Sequence, residues 1–194
     1  MPTNEATTLN FVSSTWMATG SCELGVPPPC ALAVATSGVA AAAPDVGTAN
    51  AKLPAAIQVD ETQNKVVASF VGIGKQVYDC NTGGPFTFRE PVAGLLSRGV
   101  QAAIHGKGPF WASFDGSRVE ASGVGNAPSP DPARNVAWLK LTGTSTPNTT
   151  GVFSNVAFIQ RLDTRGGVTP AGPCTAPKTV AVDYTANYVF WARK

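Results

Sequence analysis

The C-terminal part of the chain alternates between apolar and polar residues with a period of two. One parity of the segment 179–190 is apolar or aromatic, whereas the other carries mainly threonine, alanine, aspartate and asparagine. The apolar positions are Val180, Val182, Tyr184, Ala186, Tyr188 and Phe190. Because successive side chains of a strand point to opposite faces, this pattern predicts a β-strand with one buried face.

Other segments from residue 53 onward have the same β character. They are "KVVASFVGIGKQVYDC", "NVAWLKL" and "GVFSNVAFIQRLDT". Gly72 and Gly74 in the first of them predict a bulge or a close approach of another backbone. Segments rich in Gly, Pro, Asn and Asp separate the predicted strands. Strands at this spacing predict an all-β fold, an antiparallel β-sandwich or barrel.

The first 52 residues differ from the rest of the chain. The run Pro27–Pro29 favours an extended backbone, and the alanine-rich segment that ends at Lys52 carries almost no charge. We therefore expect an irregular, Pro/Ala-rich N-terminal extension over residues 1–52 and a β-rich domain over residues 53–194.

Composition narrows the class of partner. The 194 residues are 43% hydrophobic and 13% charged, which predicts a folded chain with a substantial core. The formal net charge is +2 and no basic run occurs, so the chain has no electrostatic footprint for nucleic acid. Apolar runs are too short for a transmembrane helix, and we expect no membrane insertion. The classes of partner that the composition leaves open are a small molecule, a glycan and a surface partner.

Location is predicted from the cysteines and the N-terminus. The start "MPTNEATTLN" lacks the cationic region of a secretion signal. Four cysteines and abundant Thr, Gly and Pro suit a secreted β-protein, so we expect an extracellular protein whose signal has been removed. A cytoplasmic protein with free thiols is the alternative. Asn148 begins the sequon Asn148-Thr149-Thr150 and is a candidate glycosylation site.

The segment "IHGKGPFWASFDGS", residues 104–117, contains the single histidine of the chain, an aspartate and two serines. It predicts a hairpin with strands at 100–105 and 110–115, followed by a tight turn at Asp115-Gly116. At about 3.3 Å per residue, His105 and Asp115 lie at opposite ends, roughly 15 Å apart. A catalytic His–Asp pair needs direct contact. We therefore expect Asp115 and Ser117 to be turn residues.

His105 is nevertheless the main candidate for a functional site. We expect it to meet polar residues from other strands in a pocket at one end of the β-structure, with Tyr78, Gln160 and Arg161 as candidates. Trp111 is a candidate for stacking on a flat ligand or for the core, since tryptophans in β-domains serve both. If the protein is an enzyme, His105 is the catalytic candidate, although the sequence leans towards no catalysis.

Five motifs occur in an order that resembles a known family. They are "GIGKQVYDC" (72–80), "IHGKGPFWASFDGSRV" (104–119), "VAWLKL" (136–141), "FIQRLDTRGGVTPAGPC" (158–174) and "VDYTANYVFW" (182–191). Over residues 53–191 the chain resembles the family called domain of unknown function 3455, found in fungi and bacteria and usually behind secretion signals. The resemblance implies an extracellular β-rich domain with no established activity.

The resemblance also implies a cysteine pairing. Cys80 and Cys174 each end one of the family-like motifs, so these two are expected to form a disulfide. Cys22 and Cys30 then form a second, local one. A bridge across so long a loop is expected to stabilise the fold by roughly 4 kcal/mol.

We expect no cofactor and no metal. Fungal members of the family often carry the name malate dehydrogenase, but a dinucleotide site needs G-x-G-x-x-G between a strand and a helix. Here Gly72-Ile73-Gly74 is followed by Val77 and a continuing β-like run. One histidine, without C-x-x-C or H-E-x-x-H, gives no zinc pattern.

Three functions remain open. The leading hypothesis is a secreted, disulfide-stabilised β-domain that binds a small molecule, glycan or surface partner without catalysis. The first alternative is an extracellular hydrolase that uses His105. The second is a structural or surface-assembly protein that associates through an exposed edge strand.

Overall fold

The alternating segments form eight antiparallel strands. A computed structural model describes residues 49–194 of the chain. The strands are β1 (Asn64–Cys80), β2 (Thr87–Ser97), β3 (Val100–Gly106), β4 (Phe110–Ser113), β5 (Arg118–Ala127), β6 (Trp138–Ser145), β7 (Val156–Gly166) and β8 (Lys178–Arg193). Two short 3-10 turns, Asn50–Lys52 and Ala55–Ile57, precede them. Residues 1–48 of the predicted extension, and with them the predicted Cys22–Cys30 disulfide, lie outside the described residues.

The sheet closes on itself. Each strand pairs with its neighbours in the chain, and β1 also pairs with β8, which gives a closed barrel in sequence order. The β1–β8 ladder runs from the pair Asn64–Arg193 to the pair Cys80–Lys178. The all-β prediction is therefore confirmed, and of the two architectures that the sequence left open the described chain adopts the barrel. Consecutive segments tend to pair with one another, which favours this up-and-down order.

Aromatic side chains fill much of the barrel interior. Four inward positions of β8 are buried, as the alternation predicted: Tyr184, Ala186, Tyr188 and Phe190. Val180 and Val182 of the same predicted face are half-buried. The ring of Phe190 has its centroid 5.8 Å from that of Phe70, 5.9 Å from that of Trp111 and 4.6 Å from that of Phe153. Aromatic pairs at these distances add to the free energy gained from area burial alone.

A second hydrophobic cluster covers part of the outer surface. Leu53, Ile57 and Val59, which precede β1, are buried with outward-facing side chains of the later strands: Trp138, Leu162, Val189 and Trp191. Asn50 holds this segment in shape, because its Nδ2 donates to the Val59 carbonyl at 2.7 Å and its Oδ1 accepts from the Val59 N–H at 2.9 Å. The C-terminal strand is therefore buried on both faces near its end.

Two glycines of β1 lie where neighbouring atoms approach the strand closely. A Cβ at Gly72 would lie 2.6 Å from the ring of Tyr188, and a Cβ at Gly74 would lie 2.1 Å from the Val92 carbonyl oxygen. The register shift between β1 and β2 falls further along the strand, at Val77. Close approach, rather than a bulge, is thus the reason for glycine at both positions.

Cys80 and Cys174 form a disulfide, the pairing that the resemblance implied. The bond joins the end of β1 to the segment between β7 and β8, across a sequence separation of 94. Backbone hydrogen bonds join the same segments, from Gly83 N to the Cys174 oxygen at 2.8 Å and from Cys174 N to the Gly84 oxygen at 3.1 Å. The loops at this end of the barrel are therefore fixed to each other.

Candidate ligand-binding site

The predicted hairpin around His105 is present in the fold. His105 on β3 lies directly opposite Trp111 on β4, and both point into the barrel with 5% and 1% exposure. Because they are an opposed cross-strand pair, their rings stack with centroids 4.3 Å apart and planes 5° apart. Tyr188 of β8 meets both rings edge-on, with centroid distances of 5.2 and 5.6 Å. We call His105, Trp111 and Tyr188 the aromatic cluster.

His105 is neutral at physiological pH. Burial lowers the pKa of His105 from 6.5 to about 4, while the hydrogen bond to Phe110 opposes the shift and the charge of Arg161 adds to it. The Nδ1 atom lies 2.8 Å from the Phe110 carbonyl oxygen. A carbonyl only accepts, so Nδ1 carries the proton and Nε2 keeps its lone pair. His105 thus offers one acceptor and no charge.

A cavity of about 340 Å³ borders the aromatic cluster, at the end of the barrel where β3 ends and β4 begins. Leu139 and Leu141 of β6 form an apolar wall, and the β3–β4 turn contributes Pro109. This volume falls in the range of small-molecule sites, which are typically apolar with a few polar groups. We call this space the mouth cavity.

Arg161 of β7 contributes a cation to the mouth cavity. It points inward because it pairs in the sheet with Leu139 on one side and Tyr188 on the other. Its guanidinium donates to the Ala137 carbonyl, from Nη2 at 2.8 Å and from Nε at 3.3 Å. No Asp or Glu among residues 49–194 forms an ion pair with it.

Buried hydrogen-bonding groups surround the aromatic cluster. The Trp111 Nε1–H is buried and has no hydrogen-bond partner within the described chain. The hydroxyls of Tyr184 and Tyr188 lie 3.0 Å apart and bond to each other. Burial raises the pKa of both phenols, so both stay protonated. His105 is the neutral acceptor in this set.

Tyr78 lies beside the predicted site and not in the mouth cavity. Its hydroxyl donates to the Gly167 carbonyl at 2.6 Å. Its side chain lines a neighbouring, wider cavity of about 890 Å³, which shares Arg161 with the mouth cavity. The residues that the structure does bring together are His105, Trp111 and Arg161.

Gln160 lies on the outer side of β7. Its Nε2 donates to the Ile57 carbonyl at 2.7 Å and to Asn50 Oδ1 at 2.9 Å, and its Oε1 accepts from Trp191 Nε1 at 2.9 Å. These contacts attach the segment before β1 to the barrel. Gln160 is therefore placed as a structural anchor, away from His105.

Some residues of the site are not evident from the sequence. Tyr188 is on the predicted buried face of β8, and Leu139 lies in a predicted strand, but alternation indicates burial and not which buried residues border a cavity. Pro109 belongs to the predicted turn and reaches the cavity because that turn sits at its rim. No pattern in the sequence signals these three positions.

The aspartate end of the hairpin is a hydrogen-bonded turn. Asp115 Oδ1 accepts from the Ser117 N–H at 2.9 Å and from Ser117 Oγ at 2.6 Å, and Oδ2 accepts from the Val152 N–H at 2.8 Å. Ser117 Oγ also accepts from the Phe153 N–H at 3.0 Å. These bonds tie the β4–β5 turn to the segment before β7. We call Asp115 and Ser117 with these contacts the Asp115 turn.

The side chains of the described lining determine which chemical groups the mouth cavity offers. Its described lining contains no Ser, Thr, Cys, Asp or Glu, so no carboxylate base lies beside His105, and the lining side chains other than His105 that could act as nucleophiles are Lys107 and Tyr188. Within residues 49–194, no group of three or more His, Cys, Asp and Glu side chains is arranged to hold a metal ion. The wall instead offers apolar and aromatic side chains, hydrogen-bond donors and three cations, Arg89, Lys107 and Arg161.

The fold and the cavity define the class of the protein: a closed antiparallel β-barrel with a cavity of ligand size at its mouth. The family model described as a protein of unknown function (DUF3455) matches residues 100–192. The resemblance that the motifs predicted is therefore confirmed over β3–β8, which carry the aromatic cluster and Arg161. The first motif, residues 72–80, lies outside the match.

Other comparisons give no further relatives. No curated protein and no solved structure matches the chain. Within the described part of the chain, no helix has both the length and the apolar character that crossing a membrane requires.

Proposed function

We propose that the barrel is a non-catalytic binding domain that holds a small, flat, largely apolar molecule in the mouth cavity. One observation carries this proposal: the cavity wall contains a buried His105–Trp111 stack whose indole N–H has no partner in the described chain. A buried donor without a partner costs roughly 1–3 kcal/mol. An acceptor from a ligand would remove that cost, but the nitrogen has almost no accessible surface and Trp111 is only 1% exposed, so the ligand would have to displace rings of the aromatic cluster to reach it.

Binding without turnover is favoured by the composition of the wall. A hydrolase that uses His105 would need a nucleophile and a group to orient the imidazole. The Phe110 carbonyl orients the His105 imidazole, but no Ser, Thr or Cys lies in the described lining, and Asp115 is bonded within its own turn. The described lining supplies no other carboxylate.

We also propose that the protein acts outside the cell. The Cys80–Cys174 bond supports this, because disulfides persist mainly in oxidising compartments. Asn148 is exposed, with φ of 57° in a turn between β6 and β7, so a glycan there would not disturb the core.

Assembly through an edge strand receives no support from the described strands. Each of the eight pairs on both sides over part of its length, so none is an edge strand along its whole length, although residues 87–92 of β2 and 122–127 of β5 pair on one side only. A binding role therefore fits the barrel better than a structural role of that kind.

Isothermal titration calorimetry with 2-naphthoate and 2-naphthamide tests the binding role. We expect wild-type protein to bind at least one of these flat molecules with a Kd between about 1 μM and 1 mM. The variant Leu139→Trp places a large ring in the mouth cavity and is expected to weaken that binding at least tenfold. Ile104→Trp is the matched control, because Ile104 neighbours His105 but points outward with 41% exposure.

Two outcomes would overturn the binding role. One is the absence of binding by either probe, and the other is equal affinity in wild type and Leu139→Trp. Turnover of 2-naphthyl acetate that His105→Asn abolishes would instead establish the hydrolase alternative. Native mass spectrometry of protein from its natural source adds an independent check, since a bound molecule would be lost on denaturation.

A further inference from the structure

We propose that the molecule held in the mouth cavity is an organic acid, whose carboxylate is bound by Arg161 and whose flat apolar body packs towards the aromatic cluster. This inference rests on the binding role proposed above and adds the chemical class of the ligand. It follows from the charges in the cavity, from the partners of Arg161 and from its place between two cavities.

The charged residues of the cavity wall are all cations. They are Arg89, Lys107 and Arg161. Arg89 is paired with Asp79 and Glu90, and Lys107 is exposed at the rim. Arg161 is the half-buried one, and within the described chain it has no carboxylate partner. A partly desolvated cation without a counter-ion favours an anionic ligand.

Not all N–H donors of the Arg161 guanidinium are used within the described chain. A guanidinium has five N–H donors in a planar fork. Nε and Nη2 both point to a single acceptor, the Ala137 carbonyl oxygen. This bond fixes the plane of the fork. The guanidinium also interacts with the Tyr188 hydroxyl, and its remaining N–H groups are those that could bind a carboxylate.

The neighbouring groups suit the same ligand. The Trp111 Nε1–H is a second donor without a partner in the described chain. His105 is uncharged at neutral pH, so it does not compete with Arg161 for an anion. The stack with Trp111 is buried, so the apolar body of the molecule would pack beside it on the half-buried Leu139 and Pro109 of the cavity wall.

The position of Arg161 between two cavities defines how the proposed ligand would be oriented. Arg161, Phe88 and Leu139 line both the mouth cavity and the wider cavity of about 890 Å³ beside it. The wider cavity is also lined by Gln76, whose buried Nε2 has no partner among residues 49–194. The carboxylate would therefore sit at the boundary of the two cavities, with the apolar body directed inward.

Comparison of an acid with its isosteric amide tests this inference. By calorimetry, wild-type protein is expected to bind 2-naphthoate about 10- to 100-fold more tightly than 2-naphthamide. In Arg161→Met this ratio should fall to about one, with the amide affinity retained. Arg161→Lys keeps the charge but not the fork, and should give an intermediate ratio. Arg165→Met is the matched control, because Arg165 lies on the same strand and is exposed.

The outcomes separate this inference from the proposed binding role. Equal binding of acid and amide that Leu139→Trp abolishes would overturn the acid specificity and leave the binding role in place. A preference for the acid that survives in Arg161→Met would also overturn it, since another cation would then be responsible. Failure of both probes to bind would overturn both proposals. Circular dichroism establishes that each variant is folded, and Arg161→Lys provides the test if Arg161→Met is not.

Discussion

The two ends of the segment 104–117 are made from similar polar residues but satisfy them differently. At the Asp115 turn, the carboxylate accepts three hydrogen bonds, and Ser117 Oγ both donates and accepts. At the other end, His105 stacks on Trp111 beside a cavity, and the indole N–H has no partner in the described chain. Buried polar groups in folded proteins are almost always paired. The paired end is therefore explained by the fold alone, whereas the unpaired end is where we propose that a ligand binds.

The same difference extends to charge. The carboxylate of Asp115 is stabilised locally. Burial raises its pKa, but the hydrogen bonds from Ser117 and from the Val152 N–H lower it by a larger amount, so the pKa lies below its usual value. Arg161 has no comparable counter-charge within residues 49–194. We therefore assign the proposed binding role to the region where the fold leaves polar groups without partners in the described chain.

The largest predicted effect is a loss of stability on mild acidification, caused by His105. The folded state keeps its pKa at about 4, against 6.5 for the free side chain. Between these values the unfolded state binds a proton that the folded state does not, so the free energy of unfolding falls as pH falls. Over pH 6.5 to 4 the loss is expected to reach roughly 3 kcal/mol. Urea unfolding at a series of pH values measures it.

The control for this pH effect is His105→Asn, whose amide can still donate to the Phe110 carbonyl. Its free energy of unfolding should be lower at pH 7 but nearly flat between pH 6.5 and 4.5. Asp115, with its pKa below the usual 3.8, loses its contribution only in more acidic solution. An equally steep slope in His105→Asn would show that another group causes the dependence.

The next effect concerns the paired end of the hairpin. Ser117→Ala removes a hydroxyl that joins the Asp115 carboxylate to the Phe153 N–H in a fully buried position. The free energy of unfolding is expected to fall by about 2 kcal/mol, because the N–H loses its partner. Affinity for the naphthalene probes should stay within a factor of two, measured by calorimetry below the unfolding transition. A large loss of affinity at unchanged stability would contradict the structural role of this turn.

The strands could be predicted from the sequence because alternation reports directly on burial. Tyr184, Ala186 and Tyr188 follow the period-two rule, and each is buried. Closure of the sheet could not be predicted in the same way, since sandwich and barrel strands share that pattern. Burial of Val189 and Trp191 on the other face depends on the segment that packs over them, which is a tertiary contact that no local pattern contains.

The candidate site was predictable only where strand geometry was enough. His105 and Trp111 flank a predicted turn, so a hairpin brings them together. Gln160 and Arg161 are neighbours on one strand, and successive side chains face opposite sides, so only one of them can face the interior. That rule, applied to β7, separates Arg161 in the cavity from Gln160 on the outer surface. The cavity itself results from how side chains of six strands fill the barrel end.

A smaller effect is predicted for the close approach in β1. In Gly72→Ala the new methyl group would lie 2.6 Å from the ring of Tyr188, so the ring must move. We expect a loss of about 1 kcal/mol in unfolding free energy together with weaker probe binding, because Tyr188 lines the mouth cavity. Gly123→Ala is the control, since nothing lies within 4 Å of a Cβ there. Weaker binding in the control as well would mean that the effect is not local to the cavity.

The smallest effect is predicted for Ser113, which lies close to Ser117 at the same turn but whose side chain makes only long hydrogen bonds. Its Oγ donates to the Ala102 carbonyl at 3.4 Å and accepts from the Asp115 N–H at 3.4 Å. Hydrogen bonds at such distances are weak, so Ser113→Ala should change the free energy of unfolding by about 0.5 kcal/mol or less, measured by urea unfolding beside Ser117→Ala. A cost equal to that of Ser117→Ala would mean that a short, buried contact at this turn stabilises no more than a long, half-exposed one. Satisfied hydrogen bonds would then no longer distinguish the structural end of the hairpin from the end where we propose that a ligand binds.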